Sequence, residues 1–404
     1  MPLLNLWKAD KSSILKMTIE QIVSIAGDGK LLDNSPCQQE LRQYLNEVST
    51  DSLAEYASYC LDNAFIKSGL LLQDVVNELG RRLEYIVENG RYQGVKNEIG
   101  FDGIWGDGKK HSIVIEVKTT DAFSISLDTV VGYRNALINS GRITDESSVL
   151  IIVGRTDTGG LEAQVRGSRH AWHIRIIGIE SLVQLVRIKE SIDSQETVQK
   201  IKALLVPVEY TRIDELVGVV FAATKDVEGF SDDIVSEHIV LEDVKESEDS
   251  QHYNEKTSSE IITETREKII AAVSTSTGST LIKKTRAMFW SSDHKIRVAC
   301  TISKLYESQG AMKYWYAYHP SWDAFLSGGD SSHLALGCVD LSYVFLLPLN
   351  IIQAALPNLH VTQKTDDKKY WHIKIIEQPE GSFFLQVPAP GINISLIEYM
   401  LPVC

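Results

Sequence analysis

The stretch from Ile99 to Thr120 constrains this chain most, because it reads as a β-hairpin whose returning strand is almost wholly apolar. Residues 99–105 form one strand, Gly106-Asp107-Gly108-Lys109-Lys110 supply the turn, and residues 112–118 return. Ser112 is followed by Ile113, Val114 and Ile115 before the chain reaches charge. That is the composition of a central strand covered on both faces. Residues two apart on a strand share a face, so Glu116 and Lys118 point the same way with Val117 buried behind them. Asp102 lies on the neighbouring strand, where a hairpin register can bring it beside that pair. Charges at the end of such a strand are costly unless they have a task. Two carboxylates and one ammonium suit a divalent-metal hydrolase. The carboxylates hold a hard cation such as Mg²⁺ through oxygen, and the lysine orients and polarises the attacking water near a phosphate. The structural alternative is a solvated Glu–Lys pair of little energetic weight.

An aspartate, a hairpin and then Glu-x-Lys resembles the signature of the PD-(D/E)xK nuclease superfamily, which includes many restriction endonucleases, Holliday-junction resolvases and Mrr-like modification-dependent nucleases. The resemblance covers residues 71–189, and Phe101 stands where the family has a proline before its first aspartate. It implies a restriction-endonuclease-like α/β core, a mixed central sheet flanked by helices, with Asp102, Glu116 and Lys118 in the catalytic positions. It also implies Mg²⁺ as cofactor, with Mn²⁺ able to substitute, and a product carrying a 5′-phosphate. Superfamily members commonly place an acidic residue on the helix before the first catalytic strand. Glu84 is the preferred match and a third metal ligand, with Glu88 and Glu78 as rivals. Tyr133 and Arg134 fall where related nucleases place a polar residue supporting the site; Tyr133 reads as core and Arg134 as a phosphate contact. Residues 174–186 look like the closing strand and helix of Mrr-like domains.

A chain of 404 residues exceeds one ordinary core. Residues 225–260 turn acidic and polar, which is linker composition. The expected organisation is a helical lead-in over 1–69 packed on a nuclease domain over 70–192. A helical and then acidic, flexible linker follows over 193–262, with an α+β recognition or sensing domain over 263–404. Helical spacing of apolar residues predicts helices over 18–26, 38–48, 52–65, 71–88 and 127–139, and a last short helix over 394–400. Cys37, Cys60, Cys300, Cys338 and Cys404 are scattered, without a Cys-x-x-Cys, as reduced cytoplasmic thiols would be. No apolar run approaches the length of a membrane span.

A formal net charge of −14 argues against a general polyanion-binding surface, so local basic patches must carry any nucleic acid. Arg91, Tyr92 and Lys96 precede the hairpin, where they could touch a phosphate or base or simply build a turn. Arg155, Arg166, Arg169 and His170 could line a backbone groove. In the last third, aromatics alternate with cations, and Trp315 and Trp371 are the candidates for stacking on bases, against plain two-faced sheet packing. The resulting expectation is a cytoplasmic, Mg²⁺-dependent DNA endonuclease of restriction or phage-defence type. It would act as a homodimer, with room for a further defence-system protein as partner and no membrane. The competing readings are a non-catalytic nucleic-acid-binding or assembly module on a nuclease fold, and a nuclease acting on RNA or branched DNA.

Overall fold

The computed structural model describes residues 2–63, 65–94, 98–119, 126–154, 159–192, 195–207, 259–308, 311–363, 369–378, 381–388 and 393–403. The chain divides into two compact units, Met1–Glu237 and His238–Cys404, with the break inside the acidic stretch. Both units combine helices with a mixed sheet, and the second adds an antiparallel one.

In unit 1 the helices α1 (Pro2–Ala9), α2 (Lys11–Leu15), α3 (Ile19–Ile25), α4 (Pro36–Glu47), α5 (Thr50–Asp62) and α6 (Ser68–Arg82) precede the sheet. Local chemistry sets several of their starts. Thr18 and Gln21 form a capping box, Ser35 caps α4 with Pro36 behind it, and Ser49 caps α5. The sheet then follows in spatial order β1 (Ile86–Asn89), β2 (Gly103–Gly106), β3 (Ser112–Lys118), β4 (Ser148–Val153) and β5 (Ile174–Gly178). Its first three strands are antiparallel and the later ones parallel. α7 (Leu127–Asn139) and α8 (Gly159–Arg166) make the crossovers, and α9 (Ile179–Ser191) and α10 (Gln195–Leu204) follow β5.

The sheet is covered on both faces, as the apolar run of β3 requires. Ile113 and Ile115 join Trp105, Leu150, Ile152 and the apolar face of α6 on one side. Val114 joins Ile104, Val149, Ile151 and α7 on the other. Leu3, Trp7, Ile22, Leu41 and Tyr44 lie in the same core as α6 and Trp105. The helices before the sheet and the sheet itself therefore share one continuous core, and position 69 lies in the first turn of α6.

The helix expected over 71–88 is shorter at its end. α6 stops at Arg82, Glu84 takes a φ of 65°, and Ile86–Asn89 pairs antiparallel with β2. The helical spacing through Leu83 and Ile86 is fortuitous: Leu83 belongs to the core, whereas Ile86 is exposed on an edge strand. Ile86 and Val87 are β-branched and fit that strand better than a helix.

Unit 2 contains α11 (Ser259–Thr277), β6 (Leu281–Lys283), β7 (Met288–Ser291), β8 (Ile296–Ser303), β9 (Tyr306–Ser308), β10 (Ala311–Tyr318), α12 (Pro320–Leu326), β11 (Ser331–Cys338) and β12 (Tyr343–Pro348). α13 (Leu349–Ala355), β13 (Val361–Gln363), β14 (Lys369–Gln378), β15 (Ser382–Leu385), β16 (Ile394–Ser395) and β17 (Met400–Pro402) complete it. One sheet runs β17-β12-β11-β8-β7-β6 and the other β16-β15-β14-β10-β9, with β13 on β14. The last helix expected, over 394–400, is instead a strand, a 3₁₀ turn and a strand. Ser395 pairs with Phe384 and Met400 with Phe345, so pairing at the sheet edges overrides the local helical spacing. Among the described residues, no helix is long and apolar enough to cross a membrane.

Candidate active site

Two side chains of α6 fix the start of the hairpin. Gln73 Nε2 and Asn77 Nδ2 both donate to the Asp102 carbonyl oxygen, at 3.0 and 2.9 Å. Asn77 Oδ1 in turn accepts from Trp105 Nε1 at 3.0 Å. Gln73 and Asn77 are one helical turn apart, so both reach the same strand. Gly103 lets this happen, since a Cβ there would stand 2.1 Å from Asn77 Oδ1. Asn77→Leu should therefore strand the Trp105 indole N–H and weaken the hold on Asp102. We expect a loss of roughly 2–3 kcal/mol in chemical denaturation, and a variant as stable as the parent would refute the bracing role.

The register then assembles the charges. Gly103 pairs with Ile115, and Asp102 donates its amide to the Ile115 carbonyl at 3.0 Å. Asp102 Oδ2 accepts from the Val117 amide at 2.7 Å, and Lys118 Nζ lies 2.6 Å from Glu116 Oε1. The Glu116 side chain is 12% exposed and that of Lys118 38%, so this pair is more shielded than a solvated surface salt bridge. Val117 is half-buried and packs against the α6-side core. Burial, and then the negative charge of Glu116, push Asp102 up to about 7, against the opposing help of the Val117 amide and Lys118. Burial disfavours the Lys118 ammonium, but the hydrogen bond and charge of Glu116, with Asp102 and Tyr133, hold its pKa above the ordinary value.

The proton that Asp102 retains beside the Glu116 carboxylate is what a cation can replace. Among the described residues, Asp102 Oδ1 and Glu116 Oε2 accept no hydrogen bond, so one oxygen of each carboxylate is left for an ion. Among the described residues no group of three or more His, Cys, Asp or Glu side chains gathers to hold a metal. The donor set is thus two carboxylates, which fits Mg²⁺, an ion that keeps several of its waters and takes few protein ligands.

Sequence reasoning treated Tyr133 as core, yet it is half-exposed and acts on Lys118. A Cβ on Gly100 would lie 3.2 Å from its hydroxyl oxygen. Gln73 and Asn77 were missed. Their signal was two amides spaced i, i+4, both buried, on one face of α6.

Glu84 stands elsewhere. It follows α6 at the level of the hairpin turn, where Ile86 pairs with Gly106, and its Oε1 lies 3.1 Å from Lys189 Nζ. The early end of α6 is the reason: Glu84 leaves the helix before it can face Asp102. Its rivals are engaged too, Glu88 with Arg142 and Glu78 with Arg81 and Arg82.

Several candidates for nucleic-acid contact are structural. Arg134 is buried and donates to the Ser147 and Asp145 carbonyls, tying α7 to the approach to β4. Tyr92 is buried, donates to Asp74, and carries the Arg42 guanidinium over its ring. Trp371 shares the Tyr318 face of its sheet and packs on the core of unit 2, with the Lys369 ammonium 5.1 Å from its ring. Trp315 lies on the opposite face of β10, half-buried, with its indole N–H given to His372 Nδ1 at 2.9 Å. On both strands, two-faced packing accounts for the aromatic alternation.

Others stay at the surface in ion pairs: Arg91 with Glu98 at 2.8 Å, Arg166 with Glu162 at 4.0 Å, and Arg169 with Asp128 at 3.1 Å, while the less exposed His170 ring hydrogen-bonds Asp128 at 2.8 Å. Exposed pairs of this kind exchange readily for a phosphate partner. Lys96 and Arg155 lie outside the described residues. Comparison with protein-family models and with curated proteins finds no match for this chain.

Proposed function

We propose that unit 1 is a Mg²⁺-dependent phosphodiesterase that cuts DNA as an endonuclease of restriction or phage-defence type, working in the cytoplasm as a homodimer. The observation that carries this reading is the meeting of Asp102, Glu116 and Lys118 at the end of a central strand. Each carboxylate keeps one oxygen for an ion, and the lysine is bonded to one of them. Bound there, Mg²⁺ would acidify a water and offset charge on a phosphate. Asp102 and Glu116 would hold the ion. Asp102 is oriented through its own carboxylate by the Val117 amide and through its backbone by Gln73 and Asn77. Lys118, held charged by its two acidic neighbours, would direct the attacking water and face the scissile phosphate. A C₂ pair of chains is the simplest way to present two such centres to two strands.

The test is incubation of the purified chain with Mg²⁺ or Mn²⁺ and a panel of plain, modified, branched and single-stranded DNA together with RNA. Cleavage of duplex DNA that EDTA silences, and that Ca²⁺ supports poorly, is the expected result. Cleavage confined to RNA or to branched DNA would move the substrate and keep the site. A chain that cuts none of the panel with either metal overturns the reading.

A further inference from the structure

An arginine outside the sequence-derived candidates stands beside the cradle formed by Asp102, Glu116 and Lys118. α7 ends in a left-handed turn. Gly141 takes a φ of 72°, its amide donates to the Ile138 carbonyl at 2.9 Å, and the Arg142 amide donates to the Leu137 carbonyl at 3.0 Å. These two bonds close the helix and fix the backbone that carries Arg142. Its guanidinium lies 5.3 Å from the centre of the Phe101 ring and donates to Glu88 Oε1. The ring and the carboxylate together hold a long side chain that solvent would otherwise leave mobile.

Strand register says where that is. Glu88 pairs with Ile104, and Ile104 with Val114, so the three share one face of the sheet. Ile104 and Val114 belong to the core under α7. Val114 is two residues before Glu116 and Ile104 two after Asp102, so Glu88 lies one row from the cradle on that face. Diagonal neighbours across a strand pair are roughly 7–8 Å apart, which is the relation of Glu88 to Asp102. Gly90 stands on the same edge and donates its amide to the Asp102 carbonyl at 2.9 Å. A Cβ at Gly90 would collide with the Phe101 carbonyl oxygen, so this place on the edge carries no side chain. Arg187 and Asp51 make a comparable exposed pair, but between α9 and α5, whose apolar residues line the opposite core.

A guanidinium that already holds a carboxylate one row from the cradle marks a place for an anion. In a nucleic acid whose scissile phosphate sits at the cradle, the next anion along is the adjoining phosphate of the same strand. We propose that Arg142 binds that adjoining backbone phosphate, and that the Glu88 carboxylate occupies its place until the strand arrives. The ligand rests on the nuclease reading of unit 1. The Arg142 side chain is 40% exposed and that of Glu88 57%, and an exposed pair of this kind costs little to open. A phosphate offers the guanidinium two oxygens where Glu88 gives it one bond.

The test uses the full chain, with a fluorescein-labelled DNA duplex in Ca²⁺ as the probe. Arg142→Ala should raise Kd by about tenfold and lower the salt slope by about one, and Arg142→Lys should recover part of the loss. Glu88→Gln breaks the same ion pair from its other side and should lower Kd several-fold, because phosphate then meets no competitor. A merely structural pair would move both variants in one direction. Arg187→Ala and Asp51→Asn make the same two charge changes on the opposite face and should leave Kd within about twofold of the parent. Unchanged affinity in a folded Arg142→Ala chain overturns the proposal. So does a Glu88→Gln chain that binds no tighter than Asp51→Asn, and this arm decides alone if Arg142→Ala folds poorly. Both outcomes leave a parent that still cuts DNA in Mg²⁺, whereas failure of the nuclease reading removes cleavage itself; a parent that binds no duplex removes both.

Discussion

Glu116→Ala should abolish metal-dependent cleavage, lowering the single-turnover rate by about 10³-fold or more, while the chain melts as before. On the proposed reading Glu116 would supply one of the two metal-holding carboxylates, and it makes the bond that fixes Lys118 Nζ at 2.6 Å, so its loss would remove a ligand and release the ammonium together. Asp102→Ala should be as severe, because it removes the other ligand and the acceptor of the Val117 amide. Lys118→Ala should separate the two tasks. Metal affinity, read by Mn²⁺ titration calorimetry, should survive while the cleavage rate falls. Glu84→Ala is the discriminating control: pairing with Lys189, away from the cradle, it should leave the rate within a few-fold of the parent. Retained cleavage by purified Glu116→Ala would sink the assignment.

Asp102→Asn should make metal-free unit 1 more stable at pH 8 while destroying activity. A carboxyl raised from 3.8 to about 7 binds its proton more tightly in the folded chain than in the unfolded one. Its favourable contribution is therefore complete below about pH 4 and is lost as pH rises to about 7 and beyond. At about 1.4 kcal/mol per pH unit the difference approaches roughly 4 kcal/mol, and the solvent that reaches this partly buried carboxyl reduces it to about 1–3 kcal/mol. Asparagine keeps an oxygen for the Val117 amide and escapes the repulsion from Glu116. The gain should be clear in urea denaturation at pH 8 and vanish near pH 4. Mg²⁺ should close the gap from the other side, stabilising the parent and not the variant. A variant no more stable than the parent at pH 8 would mean that the two carboxylates do not strain the fold.

The sequence by itself determined the hairpin, the central place of residues 112–118 and the meeting of Asp102 with Glu116 and Lys118. These follow from period-2 alternation and from a two-strand register, which are set by residues close in the chain. Helix starts were legible for the same reason, since Thr18, Ser35 and Ser49 act on the turn that follows each of them. Only the tertiary structure decided what each polar side chain meets. Nothing local distinguishes Arg134, spent on two loop carbonyls, from Arg166 at the surface, or Tyr92 under Arg42 from a tyrosine open to a base. The end of α6 was decided there too. Helical spacing continued to Ile86, but pairing with β2 took residues 86–89 into the sheet and carried Glu84 to Lys189. Gln73 and Asn77 brace Asp102 across a gap of more than twenty residues in the chain. Contacts between distant segments depend on which faces the packing brings together, and a pattern read within one segment does not contain that information.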